Sequence, residues 1–527
     1  MRRFSSYGPV NNRIHYYAPR EEMIDRAYTQ LVGENPSEGG HYFTVWAPRQ
    51  TGKTWIMQQV LSRLQKDDRF HVLKINLEIL KRKKKVGDII KIIAGEIGKG
   101  LGKTFRGIVD EYKFQEIFNR NIMEKPIILI LDEFDALIEE GINTAVSVFR
   151  NIYINRRDEM NKPADQKTYL LHGVALIGVR SVLGIQNQKG SPFNVQRSLH
   201  VTNLTFDEVD GMFKDYEQES GQRVEKDVIH ALYDETLGQP GLTCWLAELI
   251  TETYNHDMNK PLTMYNFKEA YAAATHILPN NNIMNIMSKV NTPPYDRWLI
   301  ELFETGEKTV FNFEDEIINH LYMNGVIDQE KVGIEEYYVK FSCPFVQKRI
   351  FNRFSRKMFD YLGQLVHPLD RMDDAVSPDS LDIPNIMKRY KAYLKKNREM
   401  LFSDAPRRKK DLRIYEAVYH FNLYRFLYDL LKKRKVDVIP EFPTGNGKID
   451  LILKYREKVY ALELKSFNER YAYEEGIDRA AEYGKQLGLK EIFYLVFVEL
   501  PEEDAKELDQ VIERPGIKVI SIPIAIL

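Results

Sequence analysis

The chain has 527 residues, of which 43% are hydrophobic and 29% are charged, so it can form several folded domains and is not largely disordered. Its 75 Lys and Arg residues nearly balance its 76 Asp and Glu residues, so any contact with nucleic acid must come from a local basic patch. The two cysteines, Cys244 and Cys343, exclude a disulfide framework and a cysteine-ligated zinc site. No apolar run reaches the roughly 18 residues that a membrane span needs. We therefore expect a cytoplasmic protein with no membrane partner.

The first part of the chain alternates apolar runs of strand length with helical stretches. This pattern is typical of a parallel sheet with helices on both faces. A helix is predicted over residues 54–64, directly after the first strand. The predicted strands cover residues 42–46, 70–77, 127–131 and 169–177.

The rest of the chain consists of consecutive segments that differ in sequence pattern. A helical region is interrupted by a Gly-Gln-Pro-Gly break, and helices followed by a strand-like segment then predict a winged helix. A stretch rich in proline and aspartate indicates an interdomain connection. The predicted domains are an α/β core (residues 1–204), a helical lid (205–285), a winged-helix-like domain (286–365), a linker with a basic helical segment (366–405) and a C-terminal α/β domain (406–527).

The segment after the first predicted strand reads Ala-Pro-Arg-Gln-Thr-Gly-Lys-Thr and opens a predicted helix. In this context it is a phosphate-binding loop, because backbone N–H groups and the helix dipole attract phosphates. Lys53 would reach the β- and γ-phosphates of a nucleotide, and the Thr54 hydroxyl would ligate Mg²⁺. Ala47 replaces the usual first glycine. The predicted nucleotide-binding residues are Ala47, Pro48, Arg49, Gln50, Thr51, Gly52, Lys53 and Thr54.

Residues 128–131 are four apolar residues that lead into two carboxylates, Asp132 and Glu133. Such a pair is expected at the C-terminal tip of a buried parallel strand, where α/β proteins bind their ligands. Asp132 would hold the Mg²⁺ shell, and Glu133 would orient the attacking water as a catalytic residue. The alternative is an acidic pair that only caps the next helix. Taken together, the two motifs favour ATP and Mg²⁺ as cofactors.

Over residues 4–354 these motifs resemble the AAA-like, STAND-type P-loop ATPases related to the archaeal ATPases. The likeness includes residues 16–22 and a Gly-Val-Arg-Ser segment after the fourth predicted strand. By this resemblance Arg20 lies near the adenine, and Arg180 is a sensor residue. Pro240 belongs to a Gly-Gln-Pro lid element that contacts the nucleotide. Pro19 departs from the family, in which many members carry glycine.

The C-terminal domain carries a second set of chemically suited residues on two predicted strands joined by a turn. Side chains alternate along a strand, so Glu463 and Lys465 share one face. Antiparallel pairing can bring Asp450 next to Glu463. Two such carboxylates can bind Mg²⁺, and an adjacent ammonium can activate a water nucleophile.

With Glu416 on a preceding helix, residues 412–527 resemble the PD-(D/E)XK nuclease superfamily, particularly the branch fused to AAA-like ATPases. The resemblance implies that Asp450, Glu463 and Lys465 are catalytic, with Asp450 and Glu463 as metal ligands and Glu416 as an accessory acid. On the next helix that branch often carries Gln-x-x-x-Tyr, and the corresponding residues here are Arg479 and Tyr483.

Two basic stretches, residues 81–85 and 388–410, could contact the phosphates of a nucleic acid. The second is interleaved with Tyr390, Tyr393 and Phe402, which could stack on bases. The alternative for both stretches is a solvated surface.

The sequence therefore predicts a P-loop NTPase parallel sheet with a helical lid and a winged helix, followed by an α/β restriction-endonuclease-like domain. The predicted function is an ATPase coupled to a Mg²⁺-dependent nuclease, with DNA as the expected partner and a homo-oligomer left open. The domain pairing suggests defence or mobile-element biology. One alternative is a nucleotide-switched DNA-binding or signalling protein with an inactive nuclease fold. Another is a nuclease that acts on RNA.

Overall fold

The computed structural model describes all residues except 9, 109, 179–196, 306–308, 335, 355–374, 404, 409–410, 432–433, 441–449, 468 and 527. The chain divides into two compact units. The first consists of Met1–Val290, Asn312–Asp328 and Phe341–Arg349, and the second of Asn291–Phe311, Gln329–Lys340 and Ile350–Leu527.

The first unit is built on a five-stranded parallel sheet. Its strands are β1 (Tyr42–Trp46), β2 (His71–Asn76), β3 (Ile127–Asp132), β4 (Leu171–Gly178) and β5 (Arg197–His200). They are arranged in the order β2-β3-β4-β1-β5, so β4 separates the strand before the phosphate-binding loop from the strand that ends in Asp132. This parallel α/β sheet fits a P-loop NTPase domain. The sequence does not predict β5.

Helices cover both faces of this sheet because the central strands are apolar on both sides. Alternate residues of β3 enter opposite cores: Ile128 and Ile130 pack toward α1 (Glu21–Val32) and α2 (Lys53–Leu64), and Leu129 packs toward the helices of the other face. Such two-sided burial is typical of parallel strands. These helices are α1 (Glu21–Val32), α2 (Lys53–Leu64), α3 (Val86–Leu101), α4 (Glu111–Glu116) and α5 (Glu139–Asp158).

A helical region follows the sheet. Its first helix begins with a capping box, in which Thr205 and Glu208 satisfy each other's backbone N–H groups. The helices are α6 (Phe206–Ser220), α7 (Lys226–Thr236), α8 (Pro240–Glu248), α9 (Met264–His276) and α10 (Asn281–Val290). The segment predicted as a winged helix contributes residues to both units. It contains α11 (Tyr295–Thr305), α12 (Glu316–Met323), the paired strands β6 (Ile327–Lys331) and β7 (Tyr337–Phe341), and α13 (Pro344–Phe354).

The remaining elements of the second unit are α14 (Ile383–Phe402), α15 (Glu416–Leu431), β8 (Asp437–Pro440), β9 (Leu451–Tyr455), β10 (Lys458–Ser466), α16 (Arg470–Gln486), β11 (Glu491–Val498), α17 (Glu502–Ala505), β12 (Gln510–Arg514) and β13 (Ile517–Ala525). The strands form a six-stranded mixed sheet with the order β12-β13-β11-β10-β9-β8. Helix α16 packs on one face through Ile477 and Ala480. On the other face, the ring of Tyr419 in α15 stacks on Phe497 with centroids 4.6 Å apart.

The structure contains strands in this unit that the sequence does not predict, and it corrects one expectation. The apolar C-terminal run becomes β13, a buried strand that the sequence does not predict. The predicted base-stacking role of the aromatic residues in α14 is wrong for Tyr390 and Phe402, because both are buried in the core. The Tyr390 hydroxyl donates a hydrogen bond to Oδ1 of Asn422 at 2.7 Å. In the described part of the chain, no helix combines the length and the apolar character needed to cross a membrane.

Candidate nucleotide-binding and metal sites

The phosphate-binding loop connects β1 to α2 and folds around its own lysine. Lys53, the first residue of α2, donates hydrogen bonds to the carbonyl oxygens of Ala47 (2.8 Å) and Pro48 (2.7 Å). Gln50 and Gly52 both adopt positive φ angles, 58° and 92°, which let the loop turn back onto the helix N-terminus. The Thr51 hydroxyl donates to the Pro48 carbonyl at 2.9 Å. This shape leaves the first backbone N–H groups of α2 available to a phosphate.

A cavity of about 370 Å³ opens beside this loop. Lys53, Thr54, Asp132, Glu133 and Pro240 all line it. Its volume lies within the roughly 300–1,000 Å³ of small-molecule sites. The structure therefore brings the predicted phosphate-binding lysine and both strand-tip carboxylates to one cavity. Thr54 and Asp132 offer oxygen ligands, the type that Mg²⁺ prefers.

The electrostatics of this cavity are set by burial. Burial lowers the pKa of Lys53 to about 8, although Asp135, Glu133 and Asp132 act in the opposite direction. Burial, with the like charges of Asp135 and Asp132, raises the pKa of the Glu133 carboxyl. A desolvated lysine and carboxylate gain more from an ionic ligand than exposed groups do, because less water screens them.

The helical region touches the loop through a short connection at residues 238–241. The Gln239 side chain caps α8 and also donates to the Arg49 carbonyl at 3.1 Å. The backbone N–H of Gly241 donates to the Gln50 carbonyl at 3.0 Å. Pro240 lies between these contacts and lines the cavity. The Gly-Gln-Pro element is thus in direct contact with the loop.

Among the described residues, three that were predicted to bind nucleotide do not line this cavity: Arg20, Ala47 and Pro48. Arg20 forms an ion pair with Glu208 at 3.1 Å and donates to the Thr202 carbonyl at 3.0 Å. Arg180 lies outside the described residues.

The C-terminal carboxylates meet as the strand register requires. Leu451 pairs with Leu462 in the antiparallel β9–β10 ladder, which places Asp450 opposite Glu463. Oδ2 of Asp450 accepts a hydrogen bond from the backbone N–H of Leu464 at 2.7 Å. Both carboxylates are buried, and Oε2 of Glu463 has no hydrogen-bond partner among the residues that the structure describes. A buried carboxylate oxygen without a partner is costly unless a ligand satisfies it.

Lys465 and Glu416 form an ion pair beside these carboxylates. The ammonium of Lys465 lies 2.8 Å from Oε1 of Glu416, which opens α15. The other oxygen of Glu416 accepts the backbone N–H of Ser466 at 2.9 Å. Burial lowers the pKa of Lys465, but Glu416, Asp450 and Glu463 together outweigh burial, so the pKa is raised overall. Asp450, Glu463, Lys465 and Glu416 are thus gathered at one place in the fold.

Like charges and burial make the Asp450–Glu463 pair unfavourable on its own. Burial raises the pKa of Asp450 well above its usual range, and Glu463 raises it further. Burial also raises the pKa of Glu463 to about 7, although Lys465 opposes this. Within the described residues, no three His, Cys, Asp or Glu side chains are close enough to form a metal site by themselves. The two carboxylates still fit Mg²⁺, because this ion usually keeps several water ligands.

Comparisons with known proteins give distant structural similarity only. No protein-family model matches the chain, and no curated protein matches it. The ORC1 protein of Aeropyrum pernix, solved in complex with DNA, is 14% identical with a TM-score of 0.34, covering 64% of this chain and 94% of its own. A Walker-type ATPase of Pyrococcus abyssi is 14% identical with a TM-score of 0.45, covering 66% and 99%. Cdc6p of Pyrobaculum aerophilum is 15% identical with a TM-score of 0.36, covering 67% and 97%. Similarity at this level leaves activity and partners to be inferred from the chain's own geometry.

Several residues that sequence reasoning missed contribute to the C-terminal site. His420 is buried, and its Nε2 lies 2.8 Å from the Asp450 carbonyl oxygen. Its position one helical turn after Glu416 on α15 could have indicated it. Tyr494 pairs with Glu463 in the β10–β11 ladder, and its buried hydroxyl has no hydrogen-bond partner in the parts of the chain that the structure describes. Arg479, which the sequence does indicate, also contributes from α16, because its positive charge opposes the rise in the pKa of Glu463.

The N-terminal segment was also missed as part of the nucleotide cavity. Ser5, Ser6, Tyr7 and Val10 line one wall of it. Phe4 anchors the segment, with its ring 4.9 Å from that of Phe213 in α6. No motif in these residues could have indicated this, because their position depends on packing against a distant helix.

Proposed function

We propose that this chain is a cytoplasmic, Mg²⁺-dependent ATPase whose C-terminal unit hydrolyses phosphodiester bonds in nucleic acid, with DNA as the expected substrate. The ATPase half rests on one observation. A phosphate-binding loop closed around Lys53 shares a cavity with Asp132 and Glu133 at the tip of β3.

The residues of the cavity have distinct tasks in this proposal. Lys53 would exchange its contacts with the Ala47 and Pro48 carbonyls for phosphate oxygens, so its charge would be used on the nucleotide. Thr54 and Asp132 would hold Mg²⁺, which neutralises phosphate charge when bound. Glu133 would orient a water molecule and accept its proton, and a raised pKa makes a carboxylate a better base near neutral pH. Pro240 would close the cavity from the helical region.

Nucleotide binding and turnover test this half separately. Lys53→Ala should abolish ATP binding, because it removes the phosphate cation. Glu133→Gln should bind ATP but hydrolyse it slowly, because the amide cannot accept a proton. Lys66→Ala, which changes an exposed lysine of the same unit, is the matched control. Equal turnover by the wild type and Glu133→Gln would show that Glu133 has no role in hydrolysis.

The nuclease half rests on the buried pair of Asp450 and Glu463, in which Oε2 of Glu463 has no hydrogen-bond partner within the described part of the chain. These carboxylates would hold Mg²⁺, which offsets negative charge on the attacking and leaving oxygens when bound. Lys465, kept charged by Glu416, would stabilise the water nucleophile. His420 would fix the backbone of Asp450 through its carbonyl. A likeness to PD-(D/E)XK nucleases supports the same roles.

Cleavage and metal binding separate this proposal from its main alternative. Asp450→Ala should lose metal binding and cleavage together, whereas Lys465→Ala should keep the metal and cut slowly. Lys458→Ala, at the exposed start of the same strand, is the control. Single- and double-stranded DNA and RNA should each be assayed with and without ATP. Wild-type rates for Lys465→Ala would contradict the assigned role.

A nucleotide-switched binding protein with an inactive nuclease fold is the second candidate. Arg479 favours it, because this position often carries glutamine in the nucleases that the domain resembles. Binding of DNA without any Mg²⁺-dependent cleavage would support this candidate. The pairing of two such domains is compatible with a role in defence or mobile-element biology.

A further inference from the structure

Asp132 already has a cationic partner inside the fold. The Nζ atom of Lys74, on the neighbouring strand β2, lies 2.9 Å from Oδ2 of Asp132. The side chains of Lys74 and Asp132 are only 17% and 6% exposed. Oδ1 of Asp132 accepts the backbone N–H of Glu133 at 3.1 Å, and the Asp132 carbonyl accepts that of Leu77 at 2.9 Å. Both carboxylate oxygens are therefore engaged by donors of the chain.

This ion pair cannot separate easily. Moving Lys74 away would leave a largely buried carboxylate without its counter-ion, which is strongly unfavourable. The pairing is also diagonal across the parallel β2–β3 ladder, in which Lys74 lies opposite Ile130. The sheet itself thus holds the ammonium beside Asp132. Asp132 simultaneously lines the cavity that contains Lys53 and Thr54.

We infer that Lys74 is a built-in counter-ion of Asp132 that weakens divalent-metal binding at the nucleotide site and so sets its metal affinity. The inference rests on the proposed function, in which Asp132 helps to hold Mg²⁺. A unit positive charge and a dication on one carboxylate repel each other. Even with the dielectric constant of water, the repulsion between a single and a double positive charge about 6 Å apart corresponds to about tenfold in affinity. Lys74 is therefore a positioning residue that tunes Asp132.

Direct metal binding provides the test. Mn²⁺ would be titrated into the full chain saturated with a non-hydrolysable ATP analogue, and free Mn²⁺ would be followed by electron paramagnetic resonance. Lys74→Met removes the charge, Lys74→Gln removes it but keeps a hydrogen-bond donor, and Lys74→Arg keeps it. Lys99→Met, on the exposed surface of α3, is the matched control. Circular dichroism would confirm that each variant is folded.

The expected result is that Lys74→Met and Lys74→Gln bind Mn²⁺ about tenfold more tightly than the wild type. Lys74→Arg and Lys99→Met should stay within about twofold of it, because neither changes the charge beside Asp132.

Unchanged or weaker Mn²⁺ binding by folded Lys74→Gln would overturn the inference, since a purely structural lysine gives one of those results. The analogue's own affinity would be measured first without metal. Failure of the wild type to bind it would refute the proposed function and this inference together. Normal analogue binding with unchanged Mn²⁺ affinity would refute the inference alone.

Discussion

Replacing Gly241 by alanine should weaken nucleotide binding, because Gly241 is where the helical region rests on the phosphate-binding loop. A Cβ at this position would lie 2.4 Å from Oε1 and 2.6 Å from Cβ of Gln50. Real Cβ atoms do not approach other atoms so closely. The backbone of Gly241 is also tied to the Gln50 carbonyl by a 3.0 Å hydrogen bond. Either the loop or α8 must therefore shift.

The size of the effect follows from the cost of overpacking. Forcing an extra methyl group into a closely packed contact costs about 1–3 kcal/mol. If the contact is needed for the binding-competent loop, this cost reduces the affinity by roughly 5- to 150-fold. Alanine is also about 1 kcal/mol more favourable than glycine in a helix, so the substitution stabilises α8 while it disturbs the contact with the loop. Nucleotide affinity should therefore fall although α8 itself gains helix propensity.

Calorimetric titration with ADP, together with thermal unfolding, would measure both effects. Gly211→Ala is the matched control, because a Cβ there meets nothing within 4 Å in the middle of α6. Adding Gln50→Gly should restore binding, since it removes the atoms that the new methyl group meets. Glycine also suits the φ of 58° at position 50. Wild-type affinity in Gly241→Ala, or no rescue by Gln50→Gly, would refute the reasoning.

Two further predictions concern nucleic-acid binding and acid stability. Lys395→Gln combined with Lys396→Gln, on the exposed face of α14, should weaken the salt dependence of duplex DNA binding. The slope of log K against log salt concentration should fall in magnitude by about 0.9 for each phosphate that is no longer neutralised. Lys113→Gln combined with Lys226→Gln is the control and should leave this slope unchanged. An unchanged slope would mean that the α14 lysines are only solvated. Burial lowers the pKa of His172 to about 4. Between about pH 6.5 and pH 4 the unfolded chain therefore binds a proton at His172 that the folded chain does not bind, so the stability of the fold decreases as the pH drops through this range. His172→Gln should remove up to about 3 kcal/mol of this pH-dependent destabilisation in denaturant unfolding, and parallel curves for both proteins would contradict it.

The parts of the fold that the sequence predicts well are those with local signals. Residues 42–46 form β1 with the predicted bounds, because an apolar run ends where the loop motif begins. The β9–β10 pairing was predictable because a short turn fixes the register of a hairpin. That register alone places Asp450 opposite Glu463. Residue spacing was therefore sufficient to predict this proximity.

The parts that the sequence does not predict depend on contacts between distant segments. The pairing of β13 with β11 joins two strands that no short turn connects, so its register has no local signal. The sequence of the basic stretch does not show which of its side chains are buried. Tyr390 is buried and nearby lysines are exposed because of how α14 packs against α15. The sequence does not indicate a role for Lys74 either, because that role depends on Asp132, which lies on the neighbouring strand.

The two candidate sites differ in how their carboxylates are compensated. In the first unit, Lys74 pairs with Asp132, and the charge of Lys53 acts on Glu133. In the second unit, Lys465 makes its close contact with Glu416 instead of with the buried pair. Asp450 and Glu463 then rely on more distant charges, and no described residue forms a hydrogen bond with Oε2 of Glu463. A divalent cation that binds only the folded state stabilises it most where buried carboxylates lack a counter-ion of their own. The C-terminal pair should therefore depend more on a divalent cation than Asp132 does, because Asp132 already has a cation of its own.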